Sequence, residues 1–71
     1  MRLGEIIINR PAKQLNKPLT YEIPESFGDV PIGTRVAVHL GESKEEAILV
    51  GYWDIENPPF VIKSILAVLD P

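Results

Sequence analysis

Hydrophobic and polar positions alternate most cleanly in Thr34-Arg35-Val36-Ala37-Val38-His39-Leu40. Val36, Val38 and Leu40 share one parity, and Arg35, Ala37 and His39 share the other. A period of two marks a strand with one buried and one wet face. Residues 34–40 are therefore predicted as a strand, launched by the Pro31-Ile32-Gly33 turn and stopped by Gly41. Leu19-Thr20-Tyr21-Glu22-Ile23 alternates in the same way, with Leu19, Tyr21 and Ile23 inward, Thr20 and Glu22 outward, and Pro24 closing it. Residues 3–9 form a strand around Ile6-Ile7-Ile8, whose adjacent β-branched side chains imply burial on both faces, and Pro11 stops it.

The remaining elements follow from turn chemistry. Residues 10–18 are polar and bounded by proline, which predicts an ordered loop containing Lys13, Asn16 and Lys17. Residues 25–33 carry Ser26, Gly28, Asp29, Pro31 and Gly33, so they form a loop, with Phe27 and Val30 folded beneath it as a lid on the core. Residues 41–45 are a hairpin connection, and residues 47–53 return antiparallel to 34–40. Residues 54–59 form a second proline-rich connection, and 61–69 are apolar enough for a last strand, with a short helical turn as the alternative. Five strands without a convincing amphipathic helix give an all-β fold. The expected form is a small single domain spanning residues 1–71, a closed or half-closed barrel of OB-like or SH3-like type.

Composition narrows the function. Seventy-one residues bury only roughly 60% of the unfolded surface, so stability is modest. There is no cysteine for a disulfide or thiolate metal site, and one histidine cannot build a zinc centre, so no metal or other cofactor is expected. No apolar run approaches the roughly 20 residues that cross a bilayer, which points to the cytosol. Ten acids against seven Lys plus Arg leave a net charge of −3. Broad phosphate neutralisation is thereby excluded, and any nucleic-acid role must rest on a compact pocket with one or two cations. No phosphate-cradling Gly-x-x-x-x-Gly-Lys motif occurs, and no nucleophile and base stand at credible spacing, so the chain is read as non-catalytic.

Three motifs in order carry a family resemblance: Tyr-x-Ile-Pro at Tyr21 to Pro24, Gly-x-Arg-Val-x-Val-x-x-Gly from Gly33 to Gly41, and Lys-x-x-x-x-Val-Leu-Asp from Lys63 to Asp70. Together they resemble the amino-terminal DNA-binding domain of the primosomal replication-restart helicase PriA, nearly end to end. The resemblance implies a module excised from a longer, ATP-hydrolysing helicase, which captures the 3′ end of a DNA strand at a replication fork. It also implies, as partners, the other domains of that helicase and primosome proteins. Carried onto this chain, the family's terminal-nucleotide slot falls at Leu19, Thr20 and Tyr21, at Gly41, and at Lys63. Departures stand at Leu19, where the family has an aromatic, at Thr20, where it has an acid, and at Glu42, where it has a basic residue.

Each of these residues also has a purely structural reading. Tyr21 lies on the inward parity, as a core tyrosine does; Gly33 and Gly41 suit turns; Lys63 reads as a solvated edge lysine. Arg35 is placed to meet Glu46 across the hairpin, and Tyr52 and Trp53, being adjacent, point to opposite faces with one partly exposed. Pro58-Pro59-Phe60 stiffens a loop or docks a partner. The alternative function is an SH3-like protein-interaction module that uses Tyr52, Trp53 and the proline loops and has no nucleic-acid role.

Overall fold

The structure, a computed structural model, describes residues 1–9 and 17–69. Among these residues five strands form one antiparallel sheet: β1 (Arg2–Ile8), β2 (Leu19–Glu22), β3 (Arg35–Leu40), β4 (Ser43–Asp54) and β5 (Ala67–Val68). Their spatial order is β2-β1-β4-β3-β5. The all-β expectation holds in its half-closed form, because residues 63–69 bridge the two open edges with backbone hydrogen bonds rather than a continuous ladder. At the β2 edge, Glu22 N–H donates to the Lys63 carbonyl at 2.8 Å and Ile65 N–H to the Glu22 carbonyl at 3.0 Å. At the β3 edge, Leu66 N–H donates to Ala37 at 2.7 Å and Leu69 N–H to Arg35 at 2.8 Å.

The core lies on one face of this curled sheet. Ile6 and Ile8 of β1, Tyr21 of β2, Val36 and Val38 of β3 and Ala47 and Leu49 of β4 are buried together with Ile23, Val30 and Ile65. Gly4 has a steric reason to lack a side chain: a Cβ there would come within 2.7 Å of Leu49 Cδ1 and 2.9 Å of Ile23. The β1–β4 register slips between Glu5, opposite Gly51, and Ile6, opposite Leu49, which leaves Val50 as the extra residue of a bulge. A bulge shifts side-chain parity and increases local twist. It explains why Ala47 and Leu49 face the core yet Tyr52, not Trp53, packs against it afterwards. The predicted split of these two aromatics is observed, as is the Arg35–Glu46 pair at 3.3 Å. Val30 is buried and Phe27, in the turn Glu25–Phe27, packs against the core, so the predicted lid is present.

Three expectations are corrected. The β3–β4 connection is not five residues but the two-residue turn Gly41-Glu42, since Leu40 already pairs with Ser43. Gly41 at φ 61° supplies the positive φ that such hairpin turns require at their first central position. Polar Ser43, Lys44 and Glu45 resemble a loop, but both faces of the hairpin tip meet water, so no apolar alternation is needed there. The predicted strand over 61–69 shrinks to Ala67–Val68 and a single parallel bridge between Glu22 and Ser64. The segment changes partner from β2 to β3 midway, and one ladder cannot serve two edges. Ala37, assigned to the wet face, is buried because this segment covers it. The predicted loop over 10–18 lies mostly outside the described residues.

Candidate functional site

The end of the molecule where β2 begins and β3 finishes holds a cavity of about 340 Å³, within the roughly 300–1,000 Å³ typical of small-ligand sites. Three stretches of chain line it. Leu19, Thr20 and Tyr21 come from β2, His39, Leu40 and Gly41 from the end of β3 and its turn, and Phe60, Val61, Ile62 and Lys63 from the segment that crosses between the sheet edges. All five residues that the resemblance nominated therefore meet around one space, although they stand as much as 44 positions apart in the chain (Lys63 against Leu19).

Each lining group is held by identifiable contacts. The Tyr21 hydroxyl donates to the His39 carbonyl, which ties β2 to β3 beside the cavity. Burial pushes the Tyr21 phenol above its ordinary range, so it stays protonated and serves as that donor. Thr20 lies opposite Glu5, and its hydroxyl donates to Glu5 Oε2 at 2.6 Å; Trp53 Nε1 donates to the same oxygen at 2.6 Å. The hydroxyl proton is thus committed to a carboxylate on the outer face of the sheet. The backbone of Thr20 has a different orientation. Glu22 bonds through N–H and C=O to residues 63 and 65, away from β1, and Thr20, two residues earlier, directs its own N–H and C=O to the same edge. That edge adjoins the cavity.

The charge at the site opposes that of the whole chain. Among the described residues lining the cavity none is acidic, and Lys63 and His39 are the basic ones. Lys63 forms no ion pair among the described residues, and its backbone carbonyl is fixed by Glu22 N–H. The neighbouring carboxylate of Glu22 accepts from Ser64 Oγ at 3.2 Å. A small cavity with one unpaired lysine, an apolar wall and an adjoining strand edge suits a single sugar-phosphate unit carrying a flat base.

The family of PriA 3′ DNA-binding domains (3′BD) matches residues 5–71. The chain belongs to that family. No curated protein and no solved structure gives a match. As a member of the PriA 3′ DNA-binding domain family, the chain is a DNA-binding module of all-β architecture. No helix among the described residues is long and apolar enough to cross a membrane, and no group of three or more potential metal-ligating side chains occurs among them.

The resemblance pointed to five positions and missed His39, Leu40 and the stretch Phe60-Val61-Ile62. One signal for Phe60 was present: an aromatic and a valine follow two prolines in a polar connection, where no strand alternation recruits them to the core. The aromatic pair invoked for protein binding is divided between faces. Tyr52 donates its hydroxyl to the Val30 carbonyl and carries Arg2 over its ring at 4.6 Å, while Trp53 bonds to Glu5.

Proposed function

We propose that this chain binds the 3′ end of single-stranded or forked DNA in the cavity, as the recognition module of a cytoplasmic replication-restart helicase, and carries out no chemistry of its own. Leu19, Thr20, Tyr21, Gly41 and Lys63 form the contact set. The observation that carries this reading is their convergence on one cavity with a lysine and no acid among its described lining residues. Lys63 meets the terminal phosphodiester, the β2 edge offers backbone hydrogen-bonding groups to the sugar, and the apolar wall receives the base. Gly41 lets the ligand approach closely, since a Cβ there has nothing within 4 Å and would narrow the opening, and its positive φ resists any other residue.

End recognition separates this function from general affinity for DNA. A labelled linear strand bound to the chain is expected to be displaced by an unlabelled linear strand with a free 3′ end, but not by the same sequence closed into a circle. Equal competition by the circle would mean that the cavity does not read ends. In that case the affinity would come from side-by-side contacts along the strand.

A further inference from the structure

Glu5 stands on the outer face of β1, with Thr20 of β2 opposite it on one side and Gly51 of β4 on the other. A single oxygen, Oε2, accepts from the Thr20 hydroxyl and from Trp53 Nε1, each at 2.6 Å. The bulge at Val50 makes this possible, because it turns Trp53 out of the core and onto the face that carries Glu5. Hydrogen bonds to an ionised carboxylate are short and strong, so the two donors hold the group in one place. No cation among the described residues forms an ion pair with Glu5. Its charge is therefore expressed through those two donors, and of the two only Thr20 lines the cavity.

A threonine hydroxyl has one proton to give and two lone pairs to offer. Here the proton is spent on Glu5, so toward the cavity Thr20 Oγ1 has only lone pairs, made more negative by the carboxylate behind it. We propose that Glu5, a positioning residue acting through Thr20, makes the site select strands that end in a 3′-hydroxyl over strands that end in a 3′-phosphate. This rests on the DNA 3′-end reading above. A terminal hydroxyl donates to Thr20 Oγ1 and completes a chain of two hydrogen bonds that ends on the carboxylate. A terminal phosphate carries a charge of about −1.5 to −2 at neutral pH and presents acceptor oxygens to the same lone pairs. Glu5 thus acts on the strand end without touching it, from outside the cavity lining.

The test uses two short single strands of one sequence, ending in a 3′-hydroxyl or a 3′-phosphate, titrated at one pH and salt concentration. The wild type is expected to bind the hydroxyl end about tenfold more tightly than the phosphate end. Thr20→Val removes the relay oxygen and Glu5→Ala frees the threonine proton to meet a phosphate, so each should reduce the ratio to about twofold or less. The double variant should reduce it no further, since both changes cut the same chain of bonds. Glu5→Gln keeps an acceptor for Thr20 without the charge and should leave a ratio of about threefold. Both side chains are only part-buried, so Thr20→Val and Glu5→Gln retain the fold, which unchanged amide spectra away from β1 and β2 would verify. A purely structural role for Glu5 would weaken both ends alike and leave the ratio at the wild-type value, which would overturn the proposal. So would equal binding of both ends by the wild type, or effects of the two single variants that add; in either case the 3′-end function stands if linear strands still outcompete circles. If no strand binds at all, the 3′-end function itself falls and the role of Glu5 falls with it.

Discussion

Replacing Leu49 with alanine is expected to cost about 3–4 kcal/mol, within the range of roughly 2–5 kcal/mol for truncating a buried leucine. Leu49 is fully buried at the middle of β4, opposite Ile6, with its backbone fixed by Thr34 and Gly33. Its Cδ1 occupies the space over Gly4, so truncation leaves a void beside a residue with no side chain to fill it. A chain of 71 residues has only about 4–10 kcal/mol of stability in total. The melting temperature should therefore fall by roughly 15–30 °C. Gly4→Ala alone is expected to destabilise by about 1–3 kcal/mol through overpacking. In the Leu49→Ala background it should cost less, because the atom it would strike most closely is gone. Thermal unfolding of the two single variants and the double variant measures this coupling; strictly additive effects would mean that Leu49 does not fill the space over Gly4.

The second large effect concerns binding. Lys63→Ala is expected to weaken single-strand binding about tenfold, near 1.4 kcal/mol, as loss of one charge-assisted contact does. The slope of log affinity against log salt should become shallower by about 0.7, the value for one phosphate of a single strand. Lys44→Ala removes the same charge from the exposed hairpin strand, outside the cavity lining. Lys44 pairs across the hairpin with His39 but does not itself line the cavity, so its loss should change the affinity clearly less than the loss of Lys63 and leave the salt slope nearer the wild type. Titrations at several salt concentrations decide the matter: equal losses for both variants, with unchanged slopes, would remove Lys63 from the site. The cavity's sign explains how a chain of net charge −3 can still hold a strand end. No described lining residue is acidic, although Glu22 and Glu42 flank the cavity; Glu46 is held by Arg35 on the hairpin and Glu5 lies beneath Thr20 and Trp53.

The fold was legible where one face of a strand is buried and the other wet. Residues 19–23 and 34–40 alternate because β2 and β3 pack on the core with one face, and the strands predicted there differ from the observed ones by a single residue. Legibility failed where other forces set the conformation. Ser43 to Glu45 are in a strand held by hairpin pairing alone, which leaves no hydrophobic trace. The bulge at Val50 comes from the pairing of β1 with β4, a contact between distant segments that local pattern does not record. The crossing segment opens with Lys63 and Ser64 and then runs apolar from Ile65 to Leu69, and an apolar run alone cannot distinguish one long strand from two short pairings.

The candidate site was legible only through ordered motifs. Composition argued against DNA, and no local pattern links Leu19 to Lys63. Thr20 shows the limit of reading side chains alone: its hydroxyl is committed to Glu5 on the outer face, whereas strand geometry turns its backbone toward the cavity edge. Threonine, where the resemblance implies an acid, therefore offers no charge but leaves the edge in place.

The most direct measurement is an amide NMR titration of the chain with a short single strand ending in a 3′-hydroxyl. The account predicts shifts concentrated at Leu19, Thr20 and Tyr21, at Gly41, and at Phe60 to Lys63, saturating with one strand per chain. Shifts centred instead on Arg2, Tyr52 and Trp53, or no shifts at any strand concentration, would contradict it.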